Sequence, residues 1–360
     1  MEDSHQPPSS ARLRIVLGVL AALVLALFAL QSAALMEWLG WRGFGKVEHV
    51  RLGAYAGDVG ALEWIAKDRG FYDKVGLDVE VIGFASGKEA AEALKAGQVD
   101  VATASEFVVA TRSFAEPDLR ILGSISYYRN KGIVARRDRA IASPVDLKGK
   151  RIGVTAPSGA EYALYVFLAL HGLGMTDVTT VNLGPTQLVA AVEAGSIDAA
   201  ITWQPHVQDI QTRLGAGAIG FEGDGFDTYL LLLTRQQQLS PTDNRAFVKL
   251  LRALVLAEEW VAAHPAEAKA YVAARFKLDA AYVDTLWPGM QLEVRLPQEL
   301  LAALDGQARW LAGRDGKPAA AIPNYAEYIR ANELKSVRPS AVTLISAAGR
   351  QKSSAVVAGN

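Results

Sequence analysis

Cysteine is absent from all 360 residues. That absence excludes disulfides, thiolate nucleophiles, cysteine-bound zinc or iron–sulfur centres, and lipid attachment through an N-terminal cysteine. A charge excess is missing as well: 37 Lys and Arg against 38 Asp and Glu leave a net charge of −1. So even a balance provides neither a basic nucleic-acid surface nor an acidic disordered block. Histidine is scarce, and His171, His206 and His264 lack metal-ligand spacing. They read as structural or surface residues, so neither a metal nor a cofactor is expected. Nucleophile-elbow, phosphate-loop and dinucleotide fingerprints are also missing.

Apolar residues are plentiful, at 51 %, and part of that share sits in one N-terminal run. Residues 1–14 are polar, rich in Pro and Ser, and read as a disordered cytoplasmic segment. Arg12 and Arg14 precede an unbroken apolar stretch from Ile15 to Leu30, extended to Met36. Residues 15–36 are long enough to cross a bilayer core of about 30 Å. The two arginines place the N-terminus inside and the rest of the chain outside. Two readings compete. Ser32 and Ala34 suit a signal-peptidase cut. Trp38, Trp41 and Phe44 suit the interface end of a retained anchor, which is the reading preferred here.

The remaining length suits two lobes. Comparing the chain with itself finds a pseudo-repeat. Ala93–Asp100 (A-L-K-A-G-Q-V-D) matches Ala191–Asp198 (A-V-E-A-G-S-I-D) at a spacing of 98 residues. Arg51–Tyr55 (R-L-G-A-Y) matches Arg151–Thr155 (R-I-G-V-T) at a spacing of 100. Each copy reads as strand, small-residue loop, helix, strand, helix, strand, with strands expected at Val99–Thr103 and Ile197–Ile201. Leu119–Arg136 reads as one buried strand and Thr228–Arg235 as another. Helical spacing begins at Asn244 and recurs around Leu300–Leu311. Alternating strands and helices imply an α/β fold of two lobes, each a mostly parallel sheet flanked by helices.

In such sheets ligands gather at the carboxyl ends of strands and at helix N-termini. The repeat sets Ser105 opposite Trp203, each followed by a polar neighbour, Glu106 or Gln204. Asp58 and Ser158 occupy equivalent loops. Ser158, Gly159, Glu161 and Tyr162 open one helix, and Ser86 opens another. Ser126 and Tyr127 mark a third strand end, and Asp227 lies in a nearby turn. Each also has a plainer role. Ser86 and Ser158 suit N-caps, and Glu106 and Glu161 suit charges favoured by a helix dipole. Trp203 suits a core position, and Asp227 a turn.

Ala66–Val81 (A-K-D-R-G-F-Y-D-K-V-G-L-D-V-E-V) resembles the nitrate, sulfonate and taurine class of ABC-transporter substrate-binding proteins. A-L-K-A-G-Q-V-D-V-A, S-P-V-D-L-K-G-K-R-I-G-V, A-G-S-I-D-A-A-I-T-W-Q-P and V-R-P-S-A-V-T follow in order. The resemblance covers about Glu48–Leu344. It implies a two-lobed type II periplasmic-binding fold hinged near Gly132–Arg136 and Thr228–Arg235. Lobe 1 is then 47–134 with 229–340, lobe 2 is 135–228, and 346–360 is a flexible tail. It further implies a monomer outside the cytoplasm, at the inner membrane or free in the periplasm. Such a protein binds without catalysis and delivers its ligand to a permease and an ATPase. Family binding positions map onto Ser86, Ser105, Ser126, Ser158 and Trp203. Glu161 and the Trp-Gln-Pro run depart from the family pattern. The residues favour an amino-sulfonate such as taurine, or a similar zwitterion. The alternatives are an isomerase or lyase using Glu106 or Glu161 as base, or a membrane-anchored ligand sensor.

Overall fold

The computed structural model describes residues 47–223, 226–238 and 241–345. The N-terminal segment, the 15–36 run and the 346–360 tail lie outside the described residues. Among those described, no helix is long and apolar enough to cross a membrane.

The strands in chain order are β1 (Glu48–Tyr55), β2 (Leu77–Phe84), β3 (Val101–Ser105), β4 (Leu119–Arg129), β5 (Lys131–Arg136), β6 (Arg151–Val154), β7 (Thr179–Asn182), β8 (Ala199–Trp203), β9 (Ala218–Phe221), β10 (Asp227–Arg235) and β11 (Met290–Gln291). They form two sheets, ordered β11-β4-β10-β3-β1-β2 and β7-β6-β8-β5-β9. Both are mixed, which corrects the expectation of mostly parallel sheets. In the first, β1 runs parallel to β2 and β3, whereas β10 is antiparallel to β3 and β4. In the second, β6 runs parallel to β7 and β8, whereas β5 is antiparallel to β8 and β9. The antiparallel half of each sheet arises because a strand enters it from the other lobe. β5 arrives from β4, and β10 returns from β9.

The pseudo-repeat has a physical basis. Gly97 and Gly195 end their helices at φ +70° and +71°, a conformation that favours glycine. The Asp three positions later then ties two strands together. Asp100 accepts from the Arg51 N–H at 2.8 Å, and Asp198 from the Arg151 N–H at 2.8 Å. The corresponding backbone pairs, Asp100 N to Arg51 O and Asp198 N to Arg151 O, are 2.8 Å each. This clasp precedes the ladder, so β3 and β8 begin two residues later than expected.

The stretch 119–136 is two strands rather than one. The chain leaves the first sheet after Arg129, and every residue from Lys131 to Ala135 pairs with β8. The crossing is therefore at Asn130, ahead of the boundary read at 134/135. The Leu230–Leu233 run of β10 is buried between β3 and β4. Burying each such leucine contributes about 1.5–3 kcal/mol. The helices Pro241–Ala263 and Gln298–Arg314 pack Phe247, Leu250, Leu254, Leu300, Leu304 and Leu311 into this same core. Lobe 2 has cores of its own, built around Phe167 and Phe226 and around Leu188, Val192 and Ile210.

Candidate functional site

Asp58, Ser105, Ser158 and Trp203 lie at or just after the carboxyl ends of β1, β3, β6 and β8. Asp58 begins a short 3-10 turn after β1. It is half-buried, makes no ion pair among the described residues, and accepts from backbone N–H groups of its own turn. Loss of water pushes its carboxyl above the ordinary range. Beside it, burial and the Asp58 charge push the Tyr55 hydroxyl up to about 12.

Ser105 ends β3 and precedes the helix Glu106–Arg112 without capping it. Glu106 is buried at 2 % exposure. Its two oxygens accept from the Tyr229 N–H at 2.9 Å and from Gln307 Nε2 at 3.0 Å. Burial raises its pKa, and the nearby Lys131 ammonium opposes the shift. Lys131 opens β5 at the crossing, opposite Trp203 in the ladder. It donates to the Phe226 carbonyl at 3.2 Å and to Thr228 Oγ1. Burial lowers the Lys131 pKa, countered by Glu106 and Asp227. Lys131 was absent from the sequence-based site. Its only signal was one lysine heading the apolar run K-G-I-V-A.

Several expected residues serve the scaffold. Ser86 caps the helix Gly87–Lys95, accepting from the Glu89 N–H at 3.2 Å. Ser158 caps the helix Gly159–Leu170, accepting from the Ala160 and Glu161 N–H groups at 3.1 and 3.4 Å. Ser126 is buried and donates to the Val59 carbonyl at 2.7 Å, fixing the Asp58 turn on β4. Gln204 accepts from the Gln208 N–H at 3.2 Å. Trp203 is half-buried against the lobe 2 core. Asp227 holds Arg129 in a two-point pair, at 3.0 and 3.1 Å. Tyr127 packs on Tyr229 with ring centres 4.8 Å apart.

Gly159 of lobe 2 packs close to Phe107 of lobe 1. A Cβ there would stand 3.5 Å from Lys131 Cε and 3.6 Å from Phe107 Cβ. Beyond it, Glu161 meets Arg314 of lobe 1 at 3.1 Å, and Tyr162 meets Trp310 edge-on at 5.6 Å. Among the described residues no group of three or more His, Asp or Glu is arranged to hold a metal ion. His171 and His264 each bond a carbonyl one turn back, Phe167 O at 2.8 Å and Trp260 O at 3.0 Å.

The same fold occurs in the aliphatic sulphonate-binding protein SsuA of Escherichia coli. The structures agree at a TM-score of 0.64 with 21 % identity, over 79 % of this chain and 99 % of that one. It also occurs in an enzyme, the desulfurization enzyme DSZB, at a TM-score of 0.59 and 18 % identity, over 81 % of this chain and 99 % of that one. In sequence, a Brucella abortus (strain 2308) protein named only as a binding protein is 26 % identical over 273 residues, covering 73 % of this chain and 80 % of that protein. The taurine-binding periplasmic protein of Escherichia coli (strain K12) is 29 % identical over 144 residues, 40 % of this chain and 45 % of that protein. A family described as NMT1/THI5 like matches residues 61–268, more than half of the chain, and the chain belongs to that family.

Proposed function

We propose that the chain is the solute-binding component of an ABC importer, working on the outer side of the inner membrane. It captures a small amino-sulfonate, taurine or a similar zwitterion, between its lobes and passes it to a permease and its ATPase. The observation that carries this reading is the presence of both a carboxylate and an ammonium where the strands end near the lobe crossing. Asp58 is a half-buried carboxylate with no cation beside it among the described residues, and Lys131 supplies an ammonium at the crossing. The Ser105 hydroxyl, which makes no cap bond, stands at the end of β3. A ligand with one cationic and one anionic end complements both charges. Family membership and the sulfonate- and taurine-binding relatives support the same class.

Catalysis by Glu106 or Glu161 is disfavoured, because the first has both oxygens bonded and the second faces Arg314. A general base needs an oxygen within reach of the substrate proton. Calorimetry with taurine, ethanesulfonate, ethylamine, a pyrimidine and nitrate tests the proposal. Taurine should bind with a Kd near micromolar, about −8 kcal/mol, and be recovered unchanged. Equal affinity for ethanesulfonate would remove the zwitterion, and chemically altered taurine would favour the enzyme. Fractionation tests the anchor: the 15–36 run, if retained, keeps the protein in the membrane pellet through a carbonate wash.

A further inference from the structure

The lobes are joined through the chain at Asn130 and between Phe221 and Asp227, so contacts away from those crossings set the angle between them. One such contact is well developed. Arg314, the last residue of helix Gln298–Arg314 in lobe 1, places Nη1 3.1 Å from Glu161 Oε2, in the first turn of helix Gly159–Leu170 in lobe 2. Their side chains are 32 % and 14 % exposed, which limits solvent screening of the pair. Arg314 is oriented on its own side as well. Its guanidinium lies 5.1 Å from the Trp310 ring centre, and Nε bonds Asp315 at 2.9 Å. Trp310 in turn meets Tyr162 at 5.6 Å and Tyr165 at 6.1 Å from lobe 2. Glycine admits the close approach: a Cβ on Gly306 would stand 3.0 Å from the Tyr162 hydroxyl.

We infer that Glu161 and Arg314, with the Trp310–Tyr162 contact, form a latch that holds the lobes together without ligand and sets how often the cleft opens. The latch rests on the reading of the molecule as a two-lobed binding protein, but not on the ligand being a sulfonate. Opening the lobes would separate two oriented charges and return the Trp310 and Tyr162 faces to water, whereas ligand release requires that opening. Affinity would then depend on the latch through the population of the closed form, equally for every ligand.

Because the chain has no cysteine, Ala169→Cys and Ala302→Cys give two unique labels, exposed on the two helices concerned. Spin-label distances are measured on the full chain without ligand. A single narrow distance is expected, lengthening and broadening in Arg314→Ala and, less, in Glu161→Gln. Arg309→Ala, on the same helix and paired with Asp305, should leave it unchanged. A broad distribution in the parent protein, no change in either latch variant, or an equal change in Arg309→Ala each overturns the latch. If Arg314→Ala does not fold, the isosteric Glu161→Gln decides. A wrong ligand class leaves these readouts intact, so the two failures are distinguishable. Where a ligand binds, its release should quicken several-fold in Glu161→Gln, by one factor for ligands with and without an amine. A loss confined to amines would make Glu161 a ligand acceptor instead.

Discussion

Asp58 and Glu106 both lose water on folding, yet only Glu106 receives side-chain and strand donors in return. Asp58→Asn should therefore weaken an amine-bearing ligand by about 1.5–3 kcal/mol, the usual value for a hydrogen bond to a charged group. A plain sulfonate should bind the variant as well as the parent, or better. Calorimetry with the matched pair checks this, and equal losses would return Asp58 to a turn-forming role. Glu63 is more isolated. It is fully buried, Oε2 lies 3.4 Å from Thr103 Oγ1, and Oε1 has no partner among the described residues. Burial holds its pKa well above 4.5. The folded protein thus binds more protons than the unfolded chain from about pH 4.5 upward, and stability falls as pH rises through that window. Glu63→Gln should flatten this fall, raising Tm near pH 8 while changing it little near pH 4. Melting curves across that range would show a parallel offset if Glu63 did not titrate.

At the scale of elements, the two Asp clasps make a quantitative claim about the repeat. Asp100→Ala and Asp198→Ala each leave a strand N–H, that of Arg51 or Arg151, without its acceptor, at a cost of about 1–3 kcal/mol. Asp100 should cost more, since its pair with Arg51 at 2.6 Å is tighter than that of Asp198 with Arg139 at 3.6 Å. The two lie in different sheets, so the double variant should show the sum within about 0.5 kcal/mol in denaturant unfolding. A large shortfall would mean that the clasps share one cooperative element. These clasps also explain what was legible. A helix ending in Ala-Gly followed by an Asp is a local signal, and it located β3 and β8 to within two residues. The insertion of β10 between β3 and β4 was not legible, because strand neighbours separated by 98 residues or more leave no local pattern. For the same reason Ser126 reads from sequence as a site candidate at a strand end. Its acceptor, the Val59 carbonyl, comes from a turn 67 residues away.

Across the whole molecule, sequence reasoning could list polar residues at strand ends but could not pair them. Arg314 for Glu161, Gln307 for Glu106 and Arg129 for Asp227 come together only through tertiary packing. Those three acidic candidates thus have internal partners, whereas Asp58 makes no ion pair among the described residues. The return of β10 also fixes an order of events. All five strands of the lobe 2 sheet lie between Lys131 and Phe221, so that lobe has its full set once residue 221 has emerged. The other lobe does not. Until β10 arrives, β3 and β4 have no strand between them, and open strand edges invite association with other chains. A chain made or threaded from its N-terminus therefore finishes its second lobe before its first, and the first 130 residues must wait for the strand that ends at 235. A fragment ending at Phe226, which keeps that residue of the lobe 2 core, should show slow hydrogen exchange in β5, β6 and β8 and fast exchange in β1 and β3. Protection of β1 and β3 in that fragment would mean that lobe 1 closes without its central strand.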